Sequence, residues 1–387
     1  MPRKSVQEIA LHRRVTATES PKRIVVLPGD GIGPEVISAA ITVLEDCAGE
    51  AGHKFEFFEM PFGGNAIDRC GSPLPAETLL ACCTADAVLL GAVGGPRWDT
   101  LPLGKRPESG LLELRKELGL FANVRPIRVR SALLDISPLR AERARNVDLE
   151  IVRELAGGIY FGEHRRERNA DTDVASDLES YSAPEIDRIV QFAFQRAAAR
   201  GNHLTSVDKA NVLASSGLWR ERATRNAAHF PKVKLDHMYV DNAALQLVIA
   251  PQQFDVIVTS NMFGDILSDG AAGVEGSLGL IPSMSCGTGP SLYEPIHGSA
   301  PSIAGRDIAN PIGAILSAAM MLRESFGMQN EAEAIESAID RVLESGIRTA
   351  DIAERGTKPA SCSEFVLRTR DSLQEQSAQV ERYGWAV

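Results

Sequence analysis

The sequence has no long apolar run. Its longest, Ile312 to Leu322, falls short of the about 20 residues that cross a bilayer, so no membrane helix is expected. Cysteine is sparse: Cys47, Cys70, Cys82, Cys83, Cys286 and Cys362 make no C-x-x-C pair and no Cys/His cluster with zinc spacing, and they read as buried, reduced thiols of a cytoplasmic protein. Basic residues are in the minority, 41 Lys and Arg against 51 Asp and Glu, and a net charge of −10 argues against a broad electrostatic grip on nucleic acid. The same charge looks unfavourable for an anionic metabolite. Glycine and proline lack the excess of a fibrous or mucin-like chain. Residues 1–21 lack the apolar core of a secretory signal. Their mix of Arg3, Lys4, Arg13 and Arg14 with Glu8 and Glu19 reads as an N-terminal extension rather than an organellar transit peptide.

What is present is a chain of 387 residues, 44% hydrophobic, which is enough for a large core and two domains. A strand over 23–27 runs into Gly29-Asp30-Gly31-Ile32-Gly33 and then a helix that Pro34 can open. The pattern recurs: 87–93 is a continuous apolar strand, 109–118 is helical by apolar spacing, and 254–259 is a strand followed by a helix from Phe263. Such alternation predicts an α/β fold whose sheet is largely parallel and covered by helices. Ser182 to Arg200 is the clearest helix, with an S-x-x-E capping box, an apolar stripe from Ile186 to Ala197, and Gly201 to stop it. By contrast, 163–180 is dense in charge without helical period and reads as an exposed loop or arm, and the chain after Arg368 reads as a polar, loosely held tail.

Four features carry candidate chemistry. The glycine run lacks the spacing of a dinucleotide fingerprint, because its third glycine comes one residue early, so a tight strand-to-helix turn is the preferred reading. Asp265 and Asp269, four apart, share one helix face, where two carboxylates repel unless a cation lies between them; Mg²⁺ or Mn²⁺ suits such oxygen donors, and an acidic first turn is the alternative. Lys209 follows an apolar strand in Val207-Asp208-Lys209-Ala210-Asn211, either as a base of lowered pKa or as a surface lysine beside Asp208. Arg106, Arg115, Arg125 and Arg153 could grip carboxylates, with Leu111 and Leu112 as an apolar corner.

Taken together, 106–116, Phe121-Ala122-Asn123-Val124-Arg125-Pro126, 153–162, 207–211, Tyr239-Val240-Asp241-Asn242-Ala243 and His297-Gly298-Ser299-Ala300-Pro301 resemble the isocitrate/isopropylmalate dehydrogenase family of β-decarboxylating dehydrogenases, in its isopropylmalate branch. The resemblance covers roughly 22–370. It implies a two-domain α/β fold around a central cleft that is not a Rossmann fold. Residues 22–120 and 277–370 would form a nucleotide-binding domain, 121–276 a dimerisation domain with its arm at about 163–180, and 371–387 a C-terminal tail.

The implied activity is NAD-dependent oxidative decarboxylation of (2R,3S)-3-isopropylmalate to 4-methyl-2-oxopentanoate and CO2, in leucine biosynthesis. The implied catalytic residues are Lys209 as base and Tyr160 as proton donor. Arg115, Arg125, Arg153, Leu111, Leu112, Val212 and Asp241 would meet the substrate. Asp241, Asp265 and Asp269 would hold Mg²⁺ or Mn²⁺, with Asp241 and Lys209 reaching in from the other subunit of a homodimer. Glu108, Glu294, His297, Gly298, Ser299, Ala300, Pro301, Ser302, Ile303 and Asn310 would meet NAD. Three arginines, a lysine and a metal would make the cleft locally positive despite the overall charge.

Relatives acting on isocitrate place polar side chains near Leu111 and Leu112, whereas two leucines fit an isopropyl group, whose burial is worth about 2 kcal/mol. Three positions depart from the family: Ser302 where NAD-dependent members usually have Asp, Ala156 where Thr is usual, and Gly270 where Glu is usual. A D-malate or tartrate dehydrogenase, or a silent ligand-binding homologue, are the rival readings. Leu111-Leu112 argues against the first, and the joint presence of Lys209, Tyr160, Asp241, Asp265 and Asp269 against the second.

Overall fold

The structure, a computed structural model, describes residues 20–168 and 172–383; the N-terminal extension as far as residue 19 lies outside the described residues. The strands are β1 (Lys22–Gly29), β2 (Phe55–Glu59), β3 (Ala87–Ala92), β4 (Leu120–Arg128), β5 (Asp148–Glu154), β6 (His164–Arg168), β7 (Asp173–Asp177), β8 (His203–Asp208), β9 (Lys234–Tyr239), β10 (Val256–Thr259), β11 (Pro282–Gly287) and β12 (Leu292–Pro295). The helices are α1 (Gly33–Ala51), α2 (Gly63–Cys70), α3 (Ala76–Cys83), α4 (Pro107–Glu117), α5 (Ala141–Ala144), α6 (Ala183–Ala198), α7 (Ala214–Ala227), α8 (Val240–Ile249), α9 (Asn261–Glu275), α10 (Ile312–Phe326), α11 (Gln329–Glu344) and α12 (Cys362–Tyr383).

Ten strands form one sheet in the order β2-β1-β3-β12-β11-β4-β5-β10-β8-β9. Pairing is parallel except in the middle, where β12–β11, β11–β4 and β4–β5 are antiparallel. The strands from 22–92 and 282–295 thus occupy one end, and those from 120–259 the other.

Alternation along the strands builds the core. Ile24 and Val26 on β1 face a cluster that continues without a break through Val124, Ile151 and Val207, under α1 and α10. On the opposite face the core is divided. Val25, Leu27, Val88 and Leu90 pack with Phe62 and Leu114 at one end, while Val152, Val256 and Val258 pack with Ile186 and Phe194 of α6 at the other. Ser182 and Glu185 close the capping box of α6, and its whole apolar stripe is buried.

The turn after β1 is a structural stitch. The Gly31 φ is +59°, and a Cβ there would come within 1.9 Å of the Ser299 carbonyl oxygen, which instead accepts the Ile32 N–H at 2.8 Å. The buried Asp30 carboxylate accepts the N–H groups of Gly64, Asn65 and Gly94, each at 2.8 Å.

Three expectations change and a fourth, the exposed arm, gains detail. Helix α9 begins at Asn261, with Ser260 as its cap residue, rather than at Phe263. The charged arm is a two-stranded antiparallel hairpin of β6 and β7, fully exposed. Residues beyond Arg368 continue α12 as far as Tyr383 and bury Leu373, so that segment is a docked helix and not a loose tail. Cys70 and Cys83 are exposed; Cys82 and Cys83 are adjacent on α3, a rotation of about 100° apart, and only Cys82 faces the core.

Candidate active site

Arg153, the last residue but one of β5, lies in its buried run and meets the first turns of α9. Its Nε and Nη2 donate to Asn261 Oδ1 at 3.0 and 2.8 Å, and its Nη1 closes on Asp265. Gly264 makes that approach possible, since a Cβ there would stand 2.7 Å from the Arg153 side chain. Arg125 comes from β4, its Nε donating to Asn123 Oδ1 at 2.7 Å and its Nη1 to Ser268 Oγ at 2.7 Å and Asp269 at 3.1 Å. Its Nη2 reaches Asp265 at 3.2 Å. Tyr160 donates to the other Asp265 oxygen at 3.0 Å. One carboxylate therefore gathers two buried guanidiniums and a phenol.

Electrostatics follow from this crowding. Burial, with the like charge of Arg125 adding to it, lowers the Arg153 pKa to about 10. Burial and then the Asp265 charge raise that of Tyr160, keeping its proton in place at neutral pH. Burial raises the Asp269 carboxyl, and its neighbour Asp265 adds to the effect.

Arg115, on α4, is buried against Glu294 of β12, with Nη2 to Oε1 at 2.8 Å. Its Nε is buried and has no partner among the described residues. Leu111 and Leu112 lie half-buried on the same helix. Arg106 does not join, bonding Leu101 and Asp99 in its own loop. Lys209, just past β8, closes on Asp241 in the first turn of α8, and the hydrogen bond holds the Asp241 carboxyl below the usual range. Val212 is 70% exposed.

Around the 297–303 loop, His297 donates from Nδ1 to the Gly298 carbonyl at 2.9 Å, while its buried Nε2 has no partner among the described residues. Burial lowers its pKa, so the ring is neutral at pH 7. Ser299 is buried behind the Gly31 turn, Ala300 adopts φ +38°, and Pro301, Ser302 and Ile303 lie at or near the surface. Glu108 lies over Gly94, where a Cβ would fall 2.3 Å from its Oε1. Asn310 is tied to Asp351 at 3.0 Å and caps the Ile312 N–H.

Sequence reasoning missed the residues that hold these groups in place. Asn123, Ser268 and Asn261 orient the arginines, and Arg220 clamps the buried Asp208 bidentately at 2.9 Å, fixing the backbone before Lys209. Asn261 stands four residues before Asp265 and Asp208 one before Lys209, so proximity in the motif was the available signal. Asp265 and Asp269 are oxygen donors on one helix face, the chemistry of a Mg²⁺ or Mn²⁺ site. Among the described residues they do not converge with Asp241; the group of carboxylate and thiol side chains that does converge is Glu35, Asp307 and Cys362.

Comparison with known proteins gives the family. The profile of the isocitrate/isopropylmalate dehydrogenase family matches residues 23–368. A 3-isopropylmalate dehydrogenase of Halalkalibacterium halodurans is 57% identical over 342 residues, 88% of this chain and 94% of that one. One from Bacillus subtilis is 57% identical over 335 residues, 86% and 92% of the two chains. Among solved structures, an isocitrate dehydrogenase from Methylococcus capsulatus superposes with TM-score 0.80 at 34% identity, covering 91% of this chain and 99% of its own. A β-decarboxylating dehydrogenase from Thermococcus kodakarensis does so with TM-score 0.76 at 37% identity, covering 93% and 98%. The fold is that of these dehydrogenases and not a Rossmann fold, and the chain belongs to the isocitrate/isopropylmalate dehydrogenase family of oxidoreductases.

Proposed function

We propose that the chain oxidises (2R,3S)-3-isopropylmalate and decarboxylates it to 4-methyl-2-oxopentanoate, with reduction of NAD, as the dehydrogenase of leucine biosynthesis. The observation that carries this reading is the cluster of Arg125, Arg153 and Tyr160 around Asp265, beside an α4 that presents Arg115 together with Leu111 and Leu112. Guanidiniums suit the two carboxylates of the substrate, and the leucines suit its isopropyl group.

Lys209 takes the proton of the C2 hydroxyl. Arg115, Arg125 and Arg153 hold the carboxylates so that the one on C3 can leave as CO2. Tyr160, which keeps its proton at neutral pH, then delivers it to C3. When bound, Mg²⁺ or Mn²⁺ on Asp265, Asp269 and Asp241 supplies Lewis acidity at the C2 oxygen, and NAD supplies the hydride acceptor. The unpartnered Nε2 of His297 and the open space at Gly298 suit the nucleotide. Ser302 can hydrogen-bond a ribose but does not repel a 2′-phosphate, and Ile303 offers no cation to attract one, which favours NAD.

Residues 22–120 with 277–370 would be one domain and 121–276 the other, in keeping with the grouping of their strands at opposite ends of the sheet. Lys209, Asp241 and Val212 of one copy would complete the site of a second in a homodimer. That arrangement gives the exposed Val212, Leu245, Val248 and Ile266 a partner surface. No helix among the described residues is long and apolar enough to cross a membrane, and the protein would work in the cytoplasm.

The test is steady-state NADH formation with Mg²⁺, comparing 3-isopropylmalate with D-malate and isocitrate, and NAD with NADP. The highest kcat/KM is expected for 3-isopropylmalate with NAD. An equal or greater value on D-malate would sink the substrate assignment, and no turnover of any would sink the activity.

A further inference from the structure

Behind the catalytic cluster lies a buried polar network that the reaction itself does not use. Tyr181 precedes α6 and is 8% exposed, its ring set edge-on against Trp219 at 5.6 Å. Its hydroxyl accepts the backbone N–H of Asn261 at 2.9 Å. That N–H belongs to the first residue of α9, where a helix has no internal acceptor for it. Glu154 is fully buried and accepts the N–H groups of Ala156 and Gly157 at 2.8 and 2.9 Å. The Asn261 side chain closes the loop, its Nδ2 donating to the Gly157 carbonyl at 3.1 Å.

Two segments meet in this network. The turn 156–160 carries Tyr160, three residues past Gly157; helix α9 carries Asp265, four past Asn261. The glycines are there to admit the phenol. A Cβ on Gly157 would lie 2.9 Å from the Tyr181 ring, and one on Gly158, whose φ is +77°, would lie 2.3 Å from its hydroxyl.

We infer that Tyr181 and Glu154 are positioning residues that lock the Tyr160 turn to the Asp265 helix and so set where the Tyr160 hydroxyl points. The inference rests on the proposed role of Tyr160 as proton donor. Tyr181→Phe keeps the ring against Trp219 but leaves the Asn261 N–H without its acceptor. The turn is then free to shift against α9, and a misplacement on the order of 1 Å costs up to about a hundredfold in rate.

The experiment is a double-mutant cycle on the full-length enzyme with 3-isopropylmalate, NAD and Mg²⁺, using Tyr181→Phe, Tyr160→Phe and the pair. Tyr181→Phe is expected to lower kcat by about tenfold to a hundredfold with KM for NAD within about twofold of the parent. In the Tyr160→Phe background the same change should have almost no further effect, because nothing is left to position. A merely structural role would instead give losses that multiply, and that outcome overturns the inference. So does full activity of Tyr181→Phe while Tyr160→Phe is slow, a result that leaves the Tyr160 assignment standing. Full activity of Tyr160→Phe overturns that assignment and the inference with it. Should Tyr181→Phe fail to fold, Glu154→Gln enters the cycle in its place with the same expected non-additivity.

Discussion

The ammonium of Lys209 is closed on the carboxylate of Asp241, across the parallel pair β8 and β9. The register pairs Asp208 with Tyr239, so the residues that follow each strand emerge side by side. Buried Asp208, clamped by Arg220, fixes one of these ends, while Lys209 itself stays about a quarter exposed. A side chain so placed contributes to chemistry and little to folding. Lys209→Ala is expected to lower kcat by about 10² to 10⁴, the usual worth of a general base, with a thermal midpoint close to the parent's. A variant retaining near-full rate would refute the assignment.

The Asp265 and Asp269 pair leads to a second expectation, read without turnover. Arg125 and Arg153 already neutralise much of Asp265, whereas Asp269 is 56% exposed and the freer to take a cation. Titrating Mg²⁺ to about 100 times its Kd should stabilise the parent by about 2.7 kcal/mol. Asp269→Asn should lose most of that shift in a thermal melt. An undiminished shift would place the ion elsewhere.

Local features are legible in the sequence. The Ser182 capping box and the stripe from Ile186 to Ala197 specify α6 within one segment, and the i, i+4 spacing of Asp265 and Asp269 specifies their common face. What was illegible depends on long-range contacts. Asp30 is satisfied by three N–H groups from two other segments, and Arg115 meets Glu294 from 179 residues away. Nothing near Tyr181 announces that its hydroxyl caps α9. The end of α12 reads as a tail because it is mostly polar, yet Leu373 is buried, and one well-placed apolar side chain can dock such a segment.

Substrate choice is expected to turn on α4. Leu112→Ser removes apolar surface from the corner proposed for the isopropyl group, a change worth about 1–3 kcal/mol, or 10- to 200-fold in kcat/KM for 3-isopropylmalate. D-malate, which has no alkyl branch, should be turned over within about twofold of the parent. Equal losses on both substrates would show that the leucines hold the helix and not the ligand.

Cofactor choice is expected to turn on Ser302, which is exposed and so tolerant of change. Ser302→Asp adds an acceptor pair for ribose hydroxyls and a charge that repels a 2′-phosphate. The ratio of kcat/KM for NAD over NADP should rise by about tenfold or more, mostly through a higher KM for NADP. An unchanged ratio would place the 2′ position of the ribose away from residue 302.

Glu154 makes stability depend on pH in a definite direction. Burial is the main cause that raises its pKa, to about 7, against hydrogen bonds from Ala156 and Gly157 that lower it. In the unfolded chain it would titrate near the ordinary glutamate value of about 4.3. Between those two values the folded protein holds a proton that the unfolded chain has released, so rising pH favours unfolding; below about 4 and above about 8 the two states titrate alike. The contribution lost between pH 4 and pH 8 is on the order of 3 kcal/mol. Glu154→Gln, which cannot ionise, should escape that loss. Its thermal midpoint relative to the parent should therefore climb between pH 5 and pH 8, whatever constant cost the amide brings. A difference that stays flat across the window would mean that Glu154 is already ionised in the folded protein at pH 5, with its hydrogen bonds outweighing its burial.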